Sequence, residues 1–403
     1  MARSYRWVIV AAGGVLGCVA VGAMFSLPVF LLTMARETGW SVAAISGAMT
    51  IGFLAMAFAS MIWGGLSDRF GPRPVVLAGS IILPAALALA SRAGSLIEFQ
   101  LLFGLFVGGA ATAVLVPMMA TVTGWFDTQR SLAISLVSAG MGMAPMTMSP
   151  LAAWLITTHG WRASMLIIAC IAALIMIPTA LLVRRPPQLE AGEGAFAETG
   201  PRPDMTVREA VRSPQFLVLV AANFFCCATH SGPIFHTVSY AITCGIPTIA
   251  AVSIYSVEGF AGMFGRLAFG IMGDRFGAQR VLVLGLLAQA FGVLAYVFAS
   301  QIGEFYSVAA VVGFVYAGVM PLYAVIVREN FPLRMMGTII GGTAMAGSLG
   351  MSLGPLVGGL LYDRFDSYAY LYIASWGMGL AAFLIAMTFR PFPKAAEREL
   401  AAA

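Results

Sequence analysis

The sequence predicts an all-α polytopic membrane protein, with twelve transmembrane helices arranged as two pseudo-symmetric six-helix bundles. Three observations lead there. The 403 residues are 60% hydrophobic and only 10% charged, with mean hydropathy +0.92, whereas soluble domains carry roughly 25% charged residues. Apolar runs recur from end to end, many at about the 20 residues that a bilayer-spanning helix requires. A charged turn also occurs twice, in register, about half the chain apart. The runs are continuous rather than alternating, which excludes a transmembrane barrel, and an open sheet cannot expose its edges to lipid.

In chain order the spans are 7–34, 41–66, 74–91, 97–122, 130–157 and 162–183. After a polar stretch come 215–243, 247–272, 279–299, 304–327, 335–361 and 368–389. The first run is too long for the apolar part of a cleavable signal peptide. Arginine sets the orientation, since Lys394 is the only lysine among 22 basic residues. With a cytoplasmic N-terminus, Arg36, Arg92, Arg162 and Arg364 fall outside, and every other basic residue but one falls on the cytoplasmic side. The positive-inside rule then puts both termini in the cytoplasm and supports an even count of spans. The exception is Arg266, inside the eighth span. Glu258, near the middle of the same span, is the one acidic residue of 17 that fits no loop, tail or helix end. An ionisable group within a span marks a functional site by default.

The repeated turn reads GGLSDRFGPR from Gly64 and GIMGDRFGAQR from Gly270. Gly64/Gly270, Asp68/Asp274, Arg69/Arg275 and Gly71/Gly277 share one offset, with Arg73 and Arg280 just beyond. Glu98-Phe99 and Glu304-Phe305 keep that offset, and Phe126 and Pro150 match Phe331 and Pro355 one residue short of it. The chain therefore divides into an N-terminal bundle (1–183), a cytoplasmic linker (184–214), a C-terminal bundle (215–390) and a tail (391–403). Repeats of this kind are typical of secondary transporters, with the substrate site between the halves near the midplane. In each turn, Gly71 or Gly277 permits a tight reversal and Gly64 or Gly270 a close helix approach. Asp68 and Asp274 can pair with arginine or cap a helix N-terminus, so the turns are expected to latch the cytoplasmic side of each half.

In the linker, Thr206 and Glu209 of TVREAVRSPQF have capping-box spacing and Pro214 closes a short helix. The preceding LEAGEGAFAETGPRPD is expected to be flexible. Five cysteines lie within or beside apolar runs without CxxC spacing, so neither a metal site nor a disulfide framework is expected. Met141, Met143, Met146 and Met148 alternate and cannot share one helical face, which argues against a copper site.

GGLSDRFGPR resembles the loop 2–3 signature of the major facilitator superfamily, with the loop 8–9 copy preserved. WFDTQRSLAISLVSAGMGMAP at 125–145, TVREAVRSPQF at 206–216 and GRLAFGIMGDRFG at 265–277 are similar to bacterial members of its monocarboxylate and oxalate–formate transporter group. The resemblance implies alternating access by two rocking bundles in the cytoplasmic (inner) membrane. It also implies that Arg266 binds a substrate carboxylate, because an arginine in the eighth helix does so in that group. The lysine expected in the eleventh helix of an oxalate–formate transporter is missing here, which favours a monocarboxylate over a dianion.

Arg266 offers a planar fork of donors that does not deprotonate, suited to bidentate carboxylate binding. Glu258 lies about 12 Å along the helix and about 80° around it, so a direct salt bridge to Arg266 is not expected. Glu258 is the first proton-coupling candidate and His230, in the seventh span, the second. Structural hydrogen bonds are the other reading of both. Tyr316 and Tyr323, seven residues apart on the tenth span, share a face and are candidates to donate to substrate or to pack. The expected partners are a small organic anion, protons and the lipid bilayer; nucleic acid, metal and cofactor are not expected, and the protein is expected to be monomeric. Carboxylate exchange without net proton movement and proton-driven efflux stay open. The Gly-Pro-x-x-Gly-Gly element that drug/proton antiporters usually carry in the fifth helix stands in the eleventh here, from Gly354 to Gly359. No nucleophile, base and orienting group converge, so an enzyme is not expected.

Overall fold

Every predicted span is helical in the computed structural model, which describes residues 2–126, 128–186 and 205–393. The first span is broken into α1 (Ala2–Met24) and α2 (Leu27–Thr38), with a proline in the first turn of the second piece. Then come α3 (Val42–Phe70) and α4 (Pro72–Ala90). The fourth span joins α5 (Leu96–Phe99), a π-helical stretch (Gln100–Val107) and α6 (Gly108–Trp125). The fifth is α7 (Arg130–Gly142) with the start of α8 (Ala144–Leu181). α8 turns at Gly160 (φ 72°, ψ 168°), and its second part is the sixth span.

The linker helix α9 (Val207–Arg212) carries the predicted capping box. Thr206 accepts from the Glu209 N–H, and Glu209 accepts from the Thr206 N–H. Ser213 then caps α10 (Pro214–Thr243), whose first residue is the proline that ends α9. α11 (Thr248–Phe276), α12 (Ala278–Ala295), α13 (Ile302–Asn330), α14 (Met336–Phe365) and α15 (Ala369–Met387) complete the second bundle. The stretch expected to be flexible lies wholly outside the described residues, as do tail residues 394–403.

Among the described residues there is no strand, and nine helical segments are long and apolar enough to cross a bilayer. The other three predicted spans are α7 with the start of α8, α11 and α14. At 29 and 30 residues, α11 and α14 have the length as well. Large apolar side chains such as Leu174 (75% exposed) and Phe298 (77%) face outward, as lipid contact requires and water would not favour. Within the second bundle α11 lies along α13 and α10 along α14; the halves meet where α3 crosses α14 and α7 meets α11.

Candidate functional site

The two repeated turns have one geometry. Gly71 (φ 91°, ψ 163°) and Gly277 (φ 90°, ψ 131°) each end a long helix and begin the next, in a left-handed region that disfavours any side chain. The aspartates reach across to the opposite bundle. Asp68 accepts the N–H groups of Gly337 and Thr338, both at 2.7 Å, and the Thr338 hydroxyl at 2.6 Å. Asp274 accepts the N–H groups of Ser131 (3.0 Å) and Leu132 (3.1 Å). Each thus satisfies orphan donors in the first turn of a helix, α14 or α7, at its positive dipole end.

Of the two expected roles for these aspartates, the helix cap is the one formed, and it ties the halves to each other rather than locking each half alone. Arg69 lies over the Phe70 ring at 5.2 Å, and Arg73, Arg275 and Arg280 are exposed. Gly64 lets α3 touch α14 backbone to backbone, since a Cβ there would overlap the Gly337 carbonyl. Ser60 adds a hydrogen bond to the Gly341 carbonyl at 2.8 Å. At the matching place Gly270 of α11 rests on Ser135 of α7.

Deeper in, four of the predicted site residues come together. Glu258 Oε1 is 3.2 Å from His230 Nε2, and both side chains are buried. α11 is held in that register by the Tyr255 hydroxyl, which donates to the Ile234 carbonyl of α10; Tyr255 and Glu258 are three apart and share a face. The His230 ring stacks on Tyr316 at 3.6 Å between centroids and 15° between planes. Among the described residues the hydrogen-bond partners of the Tyr316 hydroxyl are sulfur atoms, Met351 Sδ at 3.6 Å and Cys227 Sγ at 3.9 Å. Arg266 lies on the same side of α11 as the Tyr316 ring, since a Cβ at Gly262 would meet both Arg266 Nη1 and Ala317, the next residue after Tyr316. Arg266 is half-buried, and its Nε donates to Ser138 Oγ of the first bundle at 3.0 Å. The order across the site is therefore Glu258, His230, Tyr316, Arg266.

Tyr323 stands apart. Its hydroxyl is buried beside the Cys226 thiol, without an oxygen or nitrogen partner among the described residues, and that thiol itself bonds Gln289 at 3.2 Å. Seven residues keep it on the face of Tyr316 but displace it about 10 Å along the helix. Among the described residues no cluster of His, Cys, Asp and Glu could hold a metal. Met141 and Met148 fill space against Gly17 and Gly22 of α1.

The profile of the Major Facilitator Superfamily matches residues 12–355 and 259–403. The chain belongs to the major facilitator superfamily. It is a transporter, not an enzyme. Its relatives in this superfamily include Monocarboxylate transporter 13 of Bos taurus, 25% identical over 392 residues, covering 96% of this chain and 90% of that protein. Monocarboxylate transporter 11 of Mus musculus is 25% identical over 407 residues, covering 96% and 85%. The uncharacterized transporter YhjX of Escherichia coli (strain K12) is 24% identical over 335 residues, covering 82% and 81%. The kinship with monocarboxylate transporters read from the motifs is thus present along the chain. Among solved structures, FucP in the outward conformation superposes with TM-score 0.74 at 14% identity, covering 96% of this chain and 99% of that one. XylE bound to 6-bromo-6-deoxy-D-glucose gives 0.77 at 16%, covering all of both chains. These two likenesses show the major facilitator fold.

Sequence reasoning missed the residues that receive the site from the other half. Ser138 lies in a run of small residues, SLVSAGMG, with nothing local to single it out. Gly337 and Thr338 contribute backbone N–H groups, which a sequence does not advertise.

Proposed function

We propose that this protein carries a small monocarboxylate across the cytoplasmic membrane together with a proton. The observation that supports this most is the state of Arg266. It is a half-buried cation at the junction of the two bundles, and among the described residues it makes no ion pair, while Glu258 is paired with His230. A buried charge without a counter-ion is costly. A substrate carboxylate docking on its fork supplies one, with the Tyr316 hydroxyl as a further donor. The His230–Glu258 pair, in line through Tyr316, then carries the proton. The names of the relatives, monocarboxylate transporters of mammals, agree with this class of substrate, and FucP and XylE are described as proton symporters of sugars.

In this reading the end bearing the repeats faces the cytoplasm, as the arginine distribution implies. The Asp68 and Asp274 caps hold that end shut, and they break when the bundles rock to release substrate inward. The boundaries of the two moving bodies are 1–183 and 215–390, with 184–214 as linker.

The test is net acidification of pyranine-loaded proteoliposomes on external addition of acetate, pyruvate, lactate or benzoate. One of these acids is expected to acidify the lumen faster than its passive leak. Arg266→Gln is expected to lower that rate at least about tenfold, the scale of losing a charge-assisted bidentate contact. An unchanged rate in Arg266→Gln contradicts the proposal.

A further inference from the structure

The carboxylate reading of Arg266, on which this inference rests, leaves open how the guanidinium is aimed. Arg266 belongs to α11 of the second bundle, yet its Nε–H is committed to Ser138 Oγ on α7 of the first, at 3.0 Å. Ser138 is buried. One turn further along α7, Gly142 lies against the same guanidinium; a Cβ there would sit 2.9 Å from Cζ and overlap Nη1. Ser138 and Gly142 are four residues apart, so both belong to one face of α7. That face offers the arginine an acceptor and, beside it, a notch where no side chain stands.

A guanidinium can grip a carboxylate along two edges, through Nε with one amino group or through the two terminal amino groups. Ser138 occupies the first edge. The end-on fork is what remains for a ligand. The hold is also shared between the halves, and it lies two turns along α7 from Ser131 and Leu132, whose N–H groups Asp274 caps. A movement that draws α7 away from α11 takes the cap and the Ser138 contact together.

We propose that Ser138 and Gly142 are positioning residues that aim Arg266 end-on at a carboxylate only while α7 and α11 are in contact, so that the substrate is bound more tightly with the repeat-bearing end closed than with it open. Affinity that differs between two states is what lets a ligand shift their balance. Here it favours capture at the open, far end and release at the repeat-bearing end.

The experiment measures uptake of radiolabelled pyruvate and benzoate by the full chain in proteoliposomes of known sidedness, from each face in turn. The variants are Ser138→Ala, Ser138→Thr and Gly142→Ala. In Ser138→Ala, KM at the face opposite the repeats is expected to rise about tenfold, with kcat within about twofold, as for loss of a hydrogen bond to a charged group. KM at the repeat-bearing face is expected to stay unchanged, and Ser138→Thr to restore the wild-type value. Gly142→Ala, which crowds the fork, is expected to raise the same KM. An unchanged KM in Ser138→Ala, an equal rise at both faces, or no rescue by threonine overturns the inference while wild-type transport leaves the carboxylate reading standing. Failure of the wild type to move either acid overturns that reading and this inference with it.

Discussion

Tyr316 presents its ring to His230 and its hydroxyl to two sulfur atoms. Sulfur is a weak acceptor, so removing the hydroxyl leaves no strong donor or acceptor stranded in the protein. Tyr316→Phe is therefore expected to fold and to keep the ring stack. Its KM for the transported acid should rise about fivefold to tenfold with kcat retained, the size of one hydrogen bond to a charged group; concentration-dependent uptake measures it. Tyr323→Phe removes a buried hydroxyl whose neighbour is the Cys226 thiol, away from Arg266, and uptake by that variant should match the wild type. The sequence could nominate both tyrosines because a seven-residue spacing preserves the face. It could not tell them apart, because what separates them is the neighbour each meets on α10. Glu258 and Arg266 were legible for a different reason: a charge inside a span is rare enough to stand out alone. Their partners, His230 and Ser138, come from other helices, and of these only His230 carried a titratable signal.

At the scale of elements, α3 and α14 meet backbone to backbone at Gly64 and Gly337. A valine at position 64 would drive its side chain into a carbonyl that cannot yield without moving the helix. Gly64→Val is expected to shift the protein at least about tenfold toward the form open at the repeat-bearing end. Spin labels at the exposed positions Arg73 and Arg280, one in each bundle, read the shift as a longer inter-bundle distance. An unchanged distance distribution contradicts the assignment of Gly64 to closure. The local elements were legible in the sequence: the capping box at Thr206 and Glu209 and the glycine turns at Gly71 and Gly277 are written in residues a few positions apart. The break between α1 and α2 was legible too, because Pro28 stands in the first turn after it; the π-helical stretch at Gln100–Val107 was not, since its segment is as apolar as an ordinary span. The cross-bundle caps were half legible. The aspartates announced a capping role, but the helices they cap begin without any residue that asks for one from outside.

On the scale of the whole molecule, the duplication gives one closure made twice, Asp68 onto α14 and Asp274 onto α7. The two are not equal. Asp68 takes three hydrogen bonds from a partly buried position, while Asp274 takes two and is exposed. Asp68→Asn is expected to cost the closed form roughly 1–2 kcal/mol, within the range for a carboxylate at a helix N-terminus. Asp274→Asn should cost less, and the double variant should sum the two because the caps share no partner; the Arg73–Arg280 label distance reports all three.

In the proposed cycle a carboxylate on Arg266 and a proton on the His230–Glu258 pair cross together. Proteoliposomes holding Glu258→Gln separate the two movements, by comparing counterflow of a labelled acid with its net, proton-gradient-driven accumulation. Counterflow is expected near the wild-type rate and accumulation abolished, because exchange needs no net proton transfer and accumulation does. Accumulation that survives in Glu258→Gln would contradict that cycle.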